Sequence, residues 1–187
     1  IASLFTARAL FYYKNKGFKE EEMAMSVAVL PIINSVASGV LFTRHPDQPE
    51  RPAALISAVW GLGKYAVAGK VEPDYYLVAY DPPGEILEQH IPVKPVMLVC
   101  QPEGGVVEVP VPPEQAARPC LTASQLATLA GWARLLEEYF HKPQDVEWAL
   151  DDQGQLWLLQ TRRLRLSLRK PTAVRPRTVK NYPILID

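Results

Sequence analysis

The segment from residue 145 to 162 constrains the fold more than any other part of the chain. Its sequence, DVEWALDDQGQLWLLQTR, has two stretches that alternate between apolar and polar side chains around the polar turn 151–154. Alternation of this kind is typical of β-strands, and a short polar turn that contains glycine joins antiparallel strands. The sequence therefore predicts a β-hairpin over residues 145–162.

The alternation assigns different side chains to the two faces of this hairpin. With a turn of even length, one face is wholly apolar and should lie in the core, and it consists of Val146, Trp148, Leu150, Trp157 and Leu159. Near the turn, the other face carries Ala149, Leu156 and Leu158. At the end away from the turn, the same face collects the polar residues Asp145, Glu147, Gln160 and Arg162.

The polar end of the hairpin has the chemistry of a metal and phosphate site. A carboxylate (Glu147) and an amide oxygen (Gln160) on adjacent strands are hard oxygen ligands of the kind that Mg²⁺ prefers, with phosphates and waters completing its octahedron. Arg162 follows two residues after Gln160, and its planar guanidinium suits a phosphate oxygen beside the metal. Periodicity alone leaves an alternative open, in which Glu147 and Arg162 form an ordinary ion pair on a solvated strand face.

The remaining sequence patterns predict an α+β fold, mainly an antiparallel sheet flanked by helices. Apolar runs that predict strands lie at residues 23–33, 39–43, 53–59 and 75–80. We expect the first two of these runs to pair with each other, and residues 85–119 to form a peripheral ribbon or an excursion over the surface. Helical spacing of apolar residues predicts helices over 1–16 and from a capping box at Thr122 and Gln125 until Pro143.

Composition and charge argue against several classes of function. The 20 Lys and Arg residues balance 20 Asp and Glu, and the basic tail at 162–180 lacks interleaved aromatic residues, so we expect no nucleic-acid partner. No apolar run approaches the roughly 20 residues that cross a bilayer, and Cys100 and Cys120 lack the CxxC spacing of a zinc site. The sequence predicts a cytoplasmic protein without a membrane partner.

Three further strings resemble a known family, in the same order along the chain. SLFTARALFYYKNKGF begins at residue 3, SGVLFTRHP spans 38–46 and WGLGKYAVAGKVEPDYY spans 60–76. Together with the hairpin, they resemble the second half of the ATP-binding domain of phosphoenolpyruvate synthases, pyruvate phosphate dikinases and rifampicin phosphotransferases. The resemblance extends over about residues 3–165, and several linked motifs are more specific than any one of them.

The resemblance implies an ATP-grasp fold, in which two α+β subdomains clasp ATP, and an ATP-dependent phosphotransferase of the dikinase type. In that family phosphate passes from ATP to a histidine on a separate domain, and then to pyruvate or, in the antibiotic-modifying members, to a drug hydroxyl. By resemblance, Glu147 and Gln160 are the magnesium ligands and Arg162 contacts the transferred phosphate. Backbone groups between Leu30 and Ile33, with Leu30 and Ile32 as the site residues, contact the adenine edge.

Two positions depart from the family pattern near the expected nucleotide. Leu30 stands where the family usually has glutamine, and Lys64 stands where it has an acidic residue after Gly-Leu-Gly. Lys64 reverses the local charge beside a site for metal and triphosphate. The reversal motivates a second interpretation, in which the chain is a non-catalytic ATP-grasp remnant that acts as a nucleotide sensor or docking module.

The glycine-rich string that follows Trp60 has two interpretations. Gly61, Gly63 and Gly69 form either a loop that approaches phosphate or tight turns that pack beneath Trp60. Glycine supplies the conformational freedom that both require, so the sequence leaves both interpretations open.

The sequence also predicts how the chain is organised. Residues 1–168 should form the C-terminal half of the full ATP-binding domain, and residues 169–187, rich in proline and basic side chains, a linker or tail. The chain begins in an apolar helical pattern without methionine, which predicts a longer parent. Its expected partners are ATP, an upstream ATP-grasp subdomain and a downstream phosphohistidine domain, so the chain alone should not complete a turnover.

Overall fold

A computed structural model describes residues 2–19, 27, 29, 31–64 and 69–166. The chain divides into two compact units, residues 1–33 and residues 34–187, which are described separately. Within the part of the chain that the structure describes, no helix is both long and apolar enough to cross a bilayer.

The N-terminal unit contains a short 3₁₀ helix, Ala2–Phe5, and helix α1, Ala7–Lys16. Thr6 caps α1, because its hydroxyl accepts a hydrogen bond from the Ala9 amide, and Gly17 ends the helix in a left-handed conformation. The predicted helix over 1–16 is therefore confirmed for residues 7–16, whereas residues 2–5 form a separate 3₁₀ helix. The apolar face of α1 is mostly exposed, since Phe11 is 69% exposed and Leu10 is 44% exposed.

The larger unit is built on a six-stranded antiparallel sheet, in the order β4-β3-β2-β1-β7-β8. Its strands are β1 (Ser35–Phe42), β2 (Ala53–Trp60), β3 (Asp74–Ala79), β4 (Ile86–His90), β7 (Gln144–Asp151) and β8 (Leu156–Arg163). Strands β5 (Val96–Cys100) and β6 (Val106–Pro110) form a separate two-stranded ribbon. This α+β architecture confirms the fold class and is consistent with an ATP-grasp-like fold.

One face of the main sheet is covered by a long helix. A short helix, α2 (Pro113–Ala116), precedes α3 (Ala123–Phe140), and the predicted capping box at Thr122 and Gln125 is present, with both reciprocal hydrogen bonds. Helix α3 ends before Pro143, as predicted. Its buried residues are Leu126, Leu129, Ala130 and Ala133.

We call the sheet face beneath α3 the core face and the opposite one the open face. On the core face, Trp148 is fully buried beside Gly39 of β1, where an added Cβ would lie 3.0 Å from the Trp148 ring and 1.9 Å from the Ser57 carbonyl oxygen. Glycine at 39 therefore allows the strands and the indole to pack closely. Burial of each such large apolar side chain contributes about 1.5–3 kcal/mol to stability.

The expected pairing of residues 23–33 with residues 39–43 is wrong. Strand β1, which contains residues 39–42, is paired with β2 on one side and β7 on the other, so both of its edges are occupied. Residues 31–34 are not in a strand, and residues 23–26, 28 and 30 lie outside the described residues. The prediction failed because a continuous apolar run indicates burial without identifying the partner strand.

The region 85–119 also differs in part from the expected peripheral ribbon. Residues 96–110 do form a ribbon, β5 and β6, but β4 joins the edge of the main sheet beside β3. All five residues of β4 are exposed. Because neither face of β4 is buried, its sequence does not need the alternation of apolar and polar residues that identifies a sheet strand.

Candidate functional site

The hairpin β7–β8 brings the predicted polar residues together. Glu147 is directly opposite Gln160, and Asp145 is directly opposite Arg162, in the antiparallel register. Side chains alternate along a strand, and Val146 and Trp148 are buried on the core face. Glu147 and its polar neighbours therefore project from the open face, as the sequence predicted.

The turn end of the hairpin corrects the sequence prediction. Leu150 is paired with Leu156, so the loop has odd length, and Leu159 is left unpaired because Trp148 pairs with Leu158 and Glu147 with Gln160. This β-bulge restores at the polar end the sharing of faces that an even loop would have given, although the pairs themselves differ from those of a turn over 151–154.

The odd loop moves apolar side chains between faces. Leu156, which was expected on the polar face, is only 8% exposed and belongs to the core cluster. Trp157 and Leu159 were expected in the core, and they are 43% and 45% exposed. The assignment of Trp157 and Leu159 to the core was therefore wrong, because it assumed an even turn.

Arg162 is held by a carboxylate that the sequence did not single out as a site residue. Its Nε donates a hydrogen bond to Oδ2 of Asp145 at 2.8 Å, and the Asp145 side chain is 12% exposed against 64% for Arg162. This hydrogen bond, together with the charge of Asp145 and of Glu147, raises the pKa of Arg162. Among the described residues the structure records no second hydrogen-bond partner for the guanidinium.

The donor set at Glu147 and Gln160 fits Mg²⁺. Glu147 is half-buried and Gln160 is exposed, and together they offer a carboxylate oxygen and an amide oxygen from facing strands. Two protein ligands suffice for Mg²⁺ when phosphates and waters provide the rest. Within the described residues no group of three or more His, Cys, Asp or Glu side chains could hold a metal, which is unlike the closed cage of a structural zinc site.

A basic recess of about 650 Å³ adjoins this polar end. It is lined by Asp145, Arg162, Arg163, Leu164 and Arg165. Three guanidinium groups against one carboxylate make the recess electropositive, which favours anionic ligands.

The residues expected around the adenine belong to the N-terminal unit. Ile32 is 70% exposed and lies in the segment 31–34, which is not in a helix or strand. Leu30 lies outside the described residues. Lys64, the position that reverses the family's charge, is exposed in the larger unit.

The chain matches the family model described as "Pyruvate phosphate dikinase, AMP/ATP-binding domain" over residues 1–181. It is 35% identical to a phosphoenolpyruvate synthase of Pyrococcus furiosus, over 99% of this chain and 23% of that protein. It is 38% identical to a probable phosphoenolpyruvate synthase of Archaeoglobus fulgidus, over 86% of this chain and 21% of that protein.

A relative with another activity is equally similar. The chain is 37% identical to a rifampicin phosphotransferase of a Streptomyces species, over 82% of this chain and 17% of that protein. The chain thus spans about a fifth of the length of these curated relatives. Since the family model covers almost the whole sequence, this chain belongs to the pyruvate phosphate dikinase AMP/ATP-binding domain family.

Proposed function

We propose that this chain is the C-terminal half of an ATP-grasp clasp and supplies the magnesium and phosphate end of a phosphoenolpyruvate synthase-like or dikinase-like phosphotransferase. The observation that carries the proposal is the placement of Glu147 opposite Gln160, with Arg162 on the same open face, in a member of an ATP-binding family. An isolated surface ion pair would not require an amide oxygen facing the carboxylate across the strands.

Each of these side chains has a separate task. Glu147 and Gln160 would hold Mg²⁺, which would supply positive charge to neutralise the phosphates. Asp145 fixes the Nε edge of Arg162, so that the terminal nitrogens point to a phosphate oxygen. Phosphoryl transfer depends mainly on such positioning and charge stabilisation, so these residues suffice for the chain's share of the chemistry.

The adenine end of the nucleotide is assigned to the segment that contains Leu30 and Ile32. Recognition there uses backbone groups, which the Leu30 side chain does not alter. The exposure of Ile32 is compatible with this role. Residues 31–34 are not in a strand, so their backbone amides and carbonyls are not used in hydrogen bonds to a neighbouring strand.

We assign the rest of the reaction to other parts of a longer parent protein. Phosphate passes from ATP to a histidine on a separate domain, with pyruvate as the acceptor by analogy with the phosphoenolpyruvate synthases. The rifampicin phosphotransferase relative supports a second candidate, in which the acceptor is a hydroxyl of an antibiotic. On either route the chain alone binds nucleotide and does not turn over.

A titration of Mg-ATP into the purified chain tests the proposal. Glu147→Ala and Arg162→Ala should each weaken binding by about tenfold or more, because each removes a charge-assisted contact to metal or phosphate. Glu138→Ala and Arg134→Ala are matched controls, since Glu138 and Arg134 form an exposed ion pair on α3 and should leave binding unchanged.

The same titration separates this function from a non-catalytic remnant. If wild type and the site variants bind indistinguishably at millimolar nucleotide, the metal and phosphate assignment is wrong. Lys64→Glu, which restores the family's acidic charge, then distinguishes a sensor from an enzyme half. If the chain is a sensor that relies on Lys64, Lys64→Glu should lower the affinity for ATP measured without Mg²⁺. If the chain is half of an enzyme clasp, Lys64→Glu should change the affinity for ATP measured with Mg²⁺ only a little.

A further inference from the structure

The turn that follows β2 is bound to the start of β1 through one backbone carbonyl. The Ser35 Oγ donates a hydrogen bond to the Gly61 oxygen at 3.1 Å, and the Ser38 Oγ donates a short one to the same oxygen. Ser35 is 7% exposed and Ser38 is 3% exposed. A buried carbonyl that accepts from two buried hydroxyls is fully satisfied, and its position is strongly restrained.

Two serines three residues apart would point to opposite faces of a regular strand. The register between β1 and β7 shifts between Ser35 and Ala37, so Val36 forms a β-bulge. The bulge re-aims Ser35, and both hydroxyls reach Gly61 on the same side. Bulges of this kind often orient a side chain beside a functional site.

The turn is also bound from its other side by the ribbon. The Leu62 amide donates to the Leu98 carbonyl at 2.8 Å, and the Gly61 amide donates to the Val36 carbonyl at 2.9 Å. Gly61 has a φ of +69°, and an added Cβ would lie 2.2 Å from the Leu98 oxygen. No other residue type fits this position without displacing β5, because the obstacle is backbone.

These contacts place the turn over the open face near the proposed metal ligands. A Cβ built on Gly63 would lie 3.2 Å from the Ser38 hydroxyl. Ser38 is opposite Ala149, and the next open-face pair along the same two strands is Val40 and Glu147. Same-face residues on a strand are separated by about 7 Å, so the turn lies one side-chain position from the Glu147 row.

We propose that Ser35 and Ser38 are positioning residues, whose hydroxyls clamp the Gly61 carbonyl and so fix the turn 61–63 as one wall of the nucleotide site. The clamp rests on the proposed function, and it adds two residues that contact neither metal nor phosphate in that proposal. Removing the Ser38 hydroxyl releases the shorter of the two bonds and lets the turn move relative to Glu147.

Nucleotide affinity of matched serine variants tests the clamp. Ser38→Ala should raise the dissociation constant of Mg-ATP by about tenfold, and Ser38→Thr, which keeps a hydroxyl, should stay within about threefold of wild type. Ser57→Ala is the control, because Ser57 donates at 3.3 Å to the Val40 carbonyl on the same face but does not contact the turn. All titrations are run where circular dichroism shows every variant folded.

Two results overturn the clamp. One is a Ser38→Ala variant that binds Mg-ATP as tightly as wild type, and the other is a Ser57→Ala variant that loses as much affinity as Ser38→Ala. Amide hydrogen exchange keeps the test independent of the proposed function. If wild type does not bind Mg-ATP, the proposed function fails, and the clamp is then judged by exchange at Leu62, which Ser38→Ala should accelerate at least fivefold and Ser57→Ala should not.

Discussion

Two carboxylate–cation pairs lie on opposite faces of the main sheet and differ in their access to water. On the core face, Lys94 donates to Asp74, and both side chains are 0% exposed. On the open face, Arg162 donates to Asp145, and the Arg162 side chain is 64% exposed. The buried pair is shielded from water on all sides, whereas the Arg162 side chain of the open pair remains accessible to solvent.

The buried pair has the satisfied hydrogen bonding that a structural pair requires. Asp74 also accepts from the Cys120 amide at 2.7 Å and from the Tyr76 hydroxyl at 3.2 Å, and Lys94 donates to the Pro92 carbonyl at 2.9 Å. Burial, together with the Asp74 charge, raises the pKa of Tyr76. These bonds connect β3 to the segments on both sides of the ribbon. The comparison teaches that a buried, fully hydrogen-bonded pair holds the fold together, whereas an exposed cation remains accessible to a ligand.

The largest expected effect is on the buried pair. Lys94→Met leaves the Asp74 carboxylate buried without its counter-charge, and should lower the free energy of unfolding by about 3–5 kcal/mol. Urea denaturation followed by circular dichroism measures this loss. The double variant with Asp74→Asn should recover part of the stability, and a single variant as stable as wild type would contradict the assignment of this pair to the fold.

A smaller and different effect is expected on the open pair. Asp145→Asn should leave the urea midpoint close to that of wild type, because the Arg162 side chain of the pair is 64% exposed. It should weaken Mg-ATP binding about threefold to tenfold, because Arg162 loses its orientation. Glu138→Gln in the exposed Arg134 pair is the control for a change of charge alone. If Asp145→Asn destabilises the fold as strongly as Lys94→Met does, the distinction between a structural buried pair and a non-structural open pair is wrong.

The smallest effect concerns a third carboxylate, at the hairpin turn. The Trp157 indole donates to Asp151 at 2.7 Å, and this bond, aided by the Gln155 and Gln153 amides, lowers the Asp151 pKa from its usual 3.8. A lowered folded-state pKa stabilises the protein above the unfolded-state pKa, and this contribution is lost as the pH falls through the folded value. The window therefore lies below about pH 4.

Carboxyl titration by NMR checks the sign of this linkage. In Trp157→Phe the pKa of Asp151 should rise towards its usual value, with a small loss of stability at pH 7 that disappears as the pH falls below about 4, and the loss is small because Trp157 is 43% exposed. An Asp151 pKa that is unchanged in this variant would show that the backbone amides alone account for the shift. Such a result would distinguish Asp151, held by backbone amides, from Asp145, which accepts its hydrogen bond from the Arg162 side chain.

The two ends of the hairpin show how far the sequence alone could predict the site. That Glu147 and Gln160 share a face was predicted correctly, although the assumed even turn was wrong, because the bulge at Leu159 compensates for the odd loop. Alternation identifies which residues share a face within a strand. It does not identify loop parity, which depends on whether Leu156 or Trp157 packs better against the core.

The residues that sequence reasoning missed owe their roles to distant partners. Asp74 and Lys94 are 20 positions apart, and Ser38 and Gly61 are 23 apart. Asp145 was placed on the polar face, yet its bond to Arg162 required the register across the turn. A proline-flanked Asp74 suggests a turn in the sequence, and only the packed ribbon brings Lys94 to it.

The sequence by itself determined the α+β class, the α3 capping box, the hairpin and the family, because these depend on periodicity and on motifs among neighbouring residues. The tertiary structure decided which strands flank β1, which carboxylate holds each cation and how the Gly61 turn is fixed. Those outcomes depend on desolvation and on contacts between segments that are remote along the chain, for which a local pattern carries no signal.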